Sequence, residues 1–459
     1  MSRQCSLLRL LLSTCVFSLL TADEFQYSIS ESRQPNQLNN NFVEDETWFV
    51  FDVTPRTQLG LKQLQLLHTV LDFLGYPKEV GQPCEVLVYD FQMITLSSGV
   101  ERAWWTLHNK TDAVLKRIEE QKQRLKLKKH RYKRASSFSS AYRIADYNDY
   151  YEISKLLDEF ANEHSDIAYV KYFGKSSEGR NMKLIKIGKY KRGVIKPAIF
   201  IDGGIHAREW IAPTTVMYII YQLLTQYKSG NTEVQHFVDE LDWYIAPVIN
   251  PDGYQYSFQK SRLWRKSRSG PPKWSTWYQQ RCLGVDLNRN FDFDWGKTDG
   301  SPDPCASNYR GTGPNSEPET QAIVKFFKMH KRKIKAYISL HTYGPFWFIP
   351  YGHRRHPVMY QNNKAEVLNV ANEAARAAER VNGNRYRVGS AAKLLYAASG
   401  TSDDWAAGTM KVPWSFGLEV GNDTHQFDPP ERYIESSGRE IWEAVKVVAR
   451  KLLQSRYAR

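Results

Sequence analysis

Past its first two dozen residues the chain holds no run of roughly 18 uninterrupted apolar residues, the length a helix needs to cross a bilayer, so no membrane span is expected in the mature protein. Internal repeats and heptad arrays are also missing, which sets aside solenoids and coiled coils. Cysteine is sparse, at five in 459 residues, and Cys5 and Cys15 fall at the very start. Acidic residues are in deficit: 49 Asp and Glu face 63 Lys and Arg, a formal net charge of +14. A deficit of that size raises a nucleic-acid or polyanion partner, and its distribution along the chain matters more than its sum.

What the chain does have is apolar content, 42% with 13% aromatic, enough to bury a large core in more than one domain. Residues 1–22 read as a cleaved secretory signal: Arg3, an apolar stretch from Leu7 to Leu20, then Ala22 before Asp23. A secreted, extracellular product is expected. Residues 23–45 read as a flexible leader, because Ser28 to Asn41 is rich in Ser, Asn and Gln without periodic apolar residues. Residues 46–110 suggest a small α+β domain, with Trp48–Val53 and Cys84–Tyr89 as strands and helical spacing from Leu59 to Leu74. Residues 111–134 form a helix-favouring basic connector, with ten Lys/Arg and two Glu between Lys116 and Arg134. That stretch supplies over half the net charge and ends in Arg131-Tyr132-Lys133-Arg134 before Ala135-Ser136-Ser137. A processing site for a basic-directed protease fits this better than a nucleic-acid surface, with extracellular polyanion binding as an additional role.

Residues 135–459 alternate strand-like runs, Ala198–Ile201 and Tyr244–Val248, with helical stretches, Thr214–Tyr227 and Ala365–Val381. That alternation favours a layered α/β domain around a mostly parallel sheet. Once Cys5 and Cys15 leave with the signal, Cys282 and Cys305 are close enough in sequence to close a small loop, and a disulfide is expected. Cys84 is left over, as a buried thiol or as one half of an intermolecular bridge.

His206 and Glu209 follow directly after a buried-looking strand, and a strand end leading into a turn can hold both on one metal. An HxxE pair alone is weak evidence. A third ligand is available in His341, at the end of the strand-like Ala336–Leu340, and three protein ligands leave the fourth zinc position open, as in catalytic sites. Glu419 sits in the apolar run Trp414–Val420, where an unpaired carboxylate is costly. It is either the partner of a buried arginine or a base that takes a proton from water activated by the metal.

From about Tyr142 onward the chain resembles the catalytic domain of the pancreatic-type metallocarboxypeptidases, the carboxypeptidase A/B family. The resemblance is carried in order by the segment around His206 and Glu209, Asn250–Tyr254, Arg262–Lys266, Asp286–Asn290, Ser339–Tyr343 and Tyr396–Trp405. Trp48 to Arg134 resembles the family's inhibitory propeptide by layout. The resemblance implies a mixed eight-stranded sheet flanked by helices, one zinc ion held by His206, Glu209 and His341, and hydrolysis of the last peptide bond of peptides or proteins by a zymogen-derived enzyme. It further implies that Asp286 fixes the tautomer of His206, that Glu419 is the general base and Arg265 the oxyanion stabiliser. Asn288, Arg289 and Tyr396 would grip the terminal carboxylate, with Arg262 adding positive potential and Tyr343 a subsite wall.

Family members that remove Lys or Arg carry an aspartate at the position of Asp403, which implies a basic preference here; otherwise Asp403 and Asp404 merely favour a helix N-terminus behind Ser402. Gly352 and Gly417 stand where relatives often have larger residues, Gly421–Pro430 is short, and Lys266–Arg281 is long, so the groove's rim and pocket width depart from the usual pattern. Two alternatives remain open: the same enzyme with an aromatic, aliphatic or broad preference, and a silent secreted peptide-binding protein.

Overall fold

The computed structural model describes residues 48–67, 70–89, 92–134, 144–276, 279–354, 363–422 and 424–458. The expected signal, the expected leader and the stretch following Arg134 lie outside the described residues.

In the N-terminal region β1 (Trp48–Pro55), β2 (Asp72–Phe73), β3 (Cys84–Tyr89) and β4 (Trp105–Asn109) make an antiparallel sheet in the order β2-β3-β1-β4. Alternation along the strands splits its side chains between two faces. Phe51, Val53, Val86 and Val88 pack with Leu64, Leu96 and Trp105. Val50 and Leu87 turn the other way, onto Val114 and Ile118 of the helix Thr111–Arg134 and onto Phe427 of the larger region. The helix expected across Leu59–Leu74 stops at Leu66, and Asp72–Phe73 is a strand. The free edge of β3 captures this segment, as the Leu74 N–H donates to the Glu85 carbonyl at 2.9 Å. Apolar spacing alone could not reveal that competing partner.

The larger region is built on β5 (Ala168–Lys175), β6 (Asn181–Ile187), β7 (Ala198–Asp202), β8 (Asp242–Ala246), β9 (Ile334–His341), β10 (Phe346–Phe348), β11 (Arg387–Gly389) and β12 (Trp414–Glu419). These form one sheet in the order β11-β10-β12-β9-β7-β8-β6-β5. The pairs β7–β8, β7–β9, β9–β12 and β10–β11 are parallel and the other three antiparallel, so the sheet is mixed, as the resemblance implies, rather than mostly parallel as strand and helix alternation alone suggests. Both faces of the central strands are buried, which explains their unbroken apolar runs. Ile199 and Ile201 face the helices Ile211–Lys228 and Arg432–Gln454, while Phe200 and Tyr337 face Phe326, Phe327 and Trp405.

The parallel strands β7, β9 and β12 end at one rim of the sheet, where α/β folds gather their ligands. The β9–β12 register sets Glu419 opposite His341, and His206 follows β7 by four residues. Cys282 and Cys305 form the expected disulfide. Cys84 is a buried free thiol, pushed up to about 12 by burial.

Candidate active site

After β7 the chain turns at Gly204, whose φ of +62° and lack of a side chain are both needed: a Cβ there would lie 3.0 Å from Pro213 and 3.2 Å from the Pro247 carbonyl. The turn delivers His206 and Glu209 into a buried corner facing His341. His206 Nδ1 lies 2.7 Å from Glu209 Oε1, and His341 Nδ1 lies 3.2 Å from both His206 Nδ1 and Glu209 Oε2. Two imidazole nitrogens and a carboxylate aimed at one point form a donor set that suits zinc.

The far side of each ring is engaged by other groups, which frees Nδ1 for a metal. His206 Nε2 is 3.1 Å from Asp286 Oδ1, while His341 Nε2 lies near Ser339 Oγ at 3.3 Å and Asn288 Nδ2 at 3.4 Å. Ser339 donates in turn to Asp202, at 2.7 Å. Burial raises the Glu209 carboxyl, but His206 and His341 outweigh it and hold the group well below the usual range. Asp286 behaves alike: burial opposes its charge, and Arg265, His206 and Arg289 win.

Arg265 reaches Asp286 Oδ2 through Nε at 3.1 Å and Nη2 at 2.8 Å, and its Nη1 stands 4.0 Å from Glu209. A short turn, Leu287–Arg289, is capped by Asp286, whose Oδ1 accepts from the Asn288 N–H at 2.9 Å. Arg289 is gripped by Asp299 at 2.8 Å and donates to the Tyr396 hydroxyl at 3.4 Å. Asn288 Oδ1 accepts from the Ser402 N–H at 2.8 Å, which ties this turn to the pocket helix Ser402–Gly408. Glu419 closes the ring: its Oε2 is sealed from solvent without a hydrogen-bond partner, and burial pushes the carboxyl up to about 8. A cavity of about 520 Å³ joins the His206, Glu209 and His341 corner to Arg265, Asn288, Arg289, Tyr396 and Glu419.

A family model described as zinc carboxypeptidase matches residues 153–444. The chain is 40% identical over 306 residues to carboxypeptidase B of Astacus astacus, covering 66% of this chain and 96% of that one. It is 31% identical to zinc carboxypeptidase A 1 of Anopheles gambiae, covering 87% and 88% of the two chains. The crystal structure of thrombin activatable fibrinolysis inhibitor is similar in fold, with a TM-score of 0.75 at 29% identity and coverage of 89% of this chain and 99% of that one.

The chain belongs to the zinc carboxypeptidases of the A/B family. His206, Glu209 and His341 are the zinc ligands of this carboxypeptidase. Its N-terminal sheet region is propeptide-like, as the layout implied.

That region lies against the carboxypeptidase groove. Asp72 takes Arg208 in a two-pronged buried ion pair at 2.7 and 3.0 Å. Tyr343 donates to the Leu74 carbonyl at 2.5 Å, and Tyr76 stands 5.4 Å from Tyr396, ring to ring. Arg262, expected to add positive potential along the groove, is covered while the N-terminal region is in place. It is 3% exposed, stacked 3.8 Å over Trp210, and donates to Gln121 of the helix Thr111–Arg134 and to the Arg208 and Phe427 carbonyls.

Asp403 lines the cavity, with no lysine or arginine paired to it among the described residues. A Cβ at Gly417 would sit 3.5 Å from its Oδ2, so the glycine leaves room beside the carboxylate. Asp404 has the opposite situation: its Oδ2 accepts from the Gly352 and His353 N–H groups at 2.9 and 3.2 Å, and the His353 ring lies 3.2 Å away. Arg208, Asp299 and His353 escaped sequence reasoning, because each acts through a partner that is remote in the chain or belongs to no motif.

Proposed function

We propose that the chain is secreted as an inactive precursor and, once cut after Arg134, removes single residues from the C-terminal end of peptides, with a preference for Lys and Arg. The observation that carries this reading is one cavity shared by the zinc ligands, the Asn288–Arg289 pair, Glu419 and Asp403. An exopeptidase needs those elements together: a hydrolytic centre, a clamp for the free carboxylate and a pocket for the last side chain.

Bound zinc supplies Lewis acidity, which acidifies water and polarises a carbonyl. The chain's own residues do the rest. Glu419, with its basicity raised by burial, takes the proton of the attacking water and delivers it to the leaving amine. Arg265, fixed by Asp286, offers a charge-assisted donor to the developing oxyanion. Arg289 and Asn288 hold the terminal carboxylate, with Tyr396 closing over it. Asp403 pairs with the cationic end of a Lys or Arg side chain that would be costly to bury alone. Arg262 serves as a structural wall, and Tyr343 becomes a subsite wall when Leu74 departs.

The test is to cleave the precursor after Arg134 and compare release of C-terminal Arg, Lys, Phe and Leu from matched peptides, with and without a zinc chelator. Chelator-sensitive release that is fastest for Arg and Lys is expected. Preference for Phe or Leu would remove the Asp403 argument and keep the enzyme, whereas no release with zinc bound would leave a peptide-binding protein.

A further inference from the structure

We infer that the edge of the main sheet opposite the active-site rim is a docking surface for a sulfated polysaccharide. β7, β8 and β9 run parallel, so their starting ends lie at the far edge from His206 and His341. Two segments meet there: 186–196, between β6 and β7, and 325–335, from the helix Pro318–Met329 into β9. The second is stitched to the start of β7, just past the first, where the Ala198 N–H donates to the Lys333 carbonyl at 2.8 Å.

The two segments carry eleven Lys and Arg and no Asp or Glu. Together with the connector they exceed the whole +14 excess, leaving the rest of the chain net negative. Positive charge is therefore concentrated in a few stretches, and these two segments carry a large share of it outside the connector. Beneath the surface a single carboxylate, Asp242, gathers three lysines: Lys186 at 2.8 Å, Lys196 at 3.1 Å and Lys333. One anion shared among three cations leaves a surplus of positive charge just under the exposed layer. In that layer Lys189, Arg192, Lys331 and Arg332 are exposed and make no side-chain ion pair with a described residue. Tyr190, 81% exposed between Lys189 and Lys191, offers a flat apolar ring of the kind that packs on a sugar.

An extended band of cations on two joined segments suits a partner with repeated anions along one chain, because each contact releases a counterion and the gains accumulate. The exposed Val194 and Ile195 are confined to one segment, which is too narrow an apolar tip to make a bilayer the better partner. The surface is remote from the groove and stays with the catalytic domain after cleavage at Arg134, so it retains the enzyme on a matrix without blocking substrate. The inference does not depend on the catalytic reading.

Heparin binding by the full chain, followed as a function of salt near and above about 0.15 M, tests it. The quadruple variant Lys189→Glu, Arg192→Glu, Lys331→Glu, Arg332→Glu should lose at least about tenfold in affinity and show a shallower salt dependence. A connector variant, Lys116→Glu with Lys126→Glu, should keep most of the binding. Thermal midpoints report folding, and the four glutamine substitutions replace the reversal if it does not fold. Affinity within twofold of the parent in the quadruple variant overturns the proposal. So does binding to phosphatidylserine vesicles but not to heparin, lost on Tyr190→Ala with Ile195→Ala, which would make the face a lipid-binding one.

Discussion

The floor and the rim of the groove are built on different terms. At the floor, the paired polar groups find their partners within the catalytic region: His206 with Asp286, Asp286 with Arg265, Arg289 with Asp299. At the rim the partners are borrowed from the N-terminal region: Asp72 for Arg208, the Leu74 carbonyl for Tyr343, Gln121 for Arg262. The residues of the hydrolytic centre are thus already paired with the N-terminal region in place, and under the proposed precursor reading what that region withholds is access.

The largest expected effect breaks the floor. His341→Ala removes one of three zinc ligands, and metal analysis should find the ion lost together with all measurable peptide hydrolysis. Glu419→Gln should keep the zinc and lower kcat by about 10²- to 10⁴-fold, the range for a positioned general base, so retained activity would remove Glu419 from the mechanism. Asp72→Asn attacks the rim alone. Breaking a buried ion pair costs about 3–5 kcal/mol, so the concentration at which the cut protein is half inhibited by its own N-terminal fragment should rise a hundredfold or more, with the activity of the freed enzyme unchanged. Asp403→Ala should lower the kcat/KM ratio for C-terminal Arg over Leu by about a hundredfold, and a ratio that does not move would assign the preference elsewhere.

The smallest effect sharpens the comparison from outside the groove. Burial pushes the Glu319 carboxyl up to about 7, against the Ser177 N–H bond that favours its charge. Its protonated form is favoured in the folded state, so its contribution is fully present below about pH 4.5 and is lost as pH rises through 7. Glu319→Gln should flatten that decline by about 1–3 kcal/mol in pH-dependent unfolding, equally in precursor and cut protein. A difference between the two forms would mean that the N-terminal region reaches further than the rim.

Part of the floor was legible because its chemistry is local, His206 and Glu209 being three residues apart, whereas Asp286, Asn288 and Arg289 were picked out through the resemblance carried by Asp286–Asn290 and share one turn. His341 and Glu419 were legible as the ends of apolar strands, though only the strand register brings them side by side. The rim was not legible. Asp72 and Arg208 are 136 residues apart, and neither carries a signal of its own. Arg262 was expected from the resemblance to add positive potential along the groove, and its cover by Gln121, 141 residues away, is a contact that its motif could not reveal. The misplaced helix end after Leu66 has a like cause, a β3 edge that helical spacing cannot sense.

Gln121 lies on the N-terminal side of the proposed cut after Arg134, so the hydrogen bond to Arg262 joins two parts of one chain before cleavage and two separate molecules after it. Before the cut, closure is a property of each molecule and is indifferent to how many there are. Afterwards it is a mass-action equilibrium, and the fraction of open grooves grows with dilution. On the proposed reading the cut leaves the chain free to open, and the distance a molecule diffuses from where it was cut decides when it does.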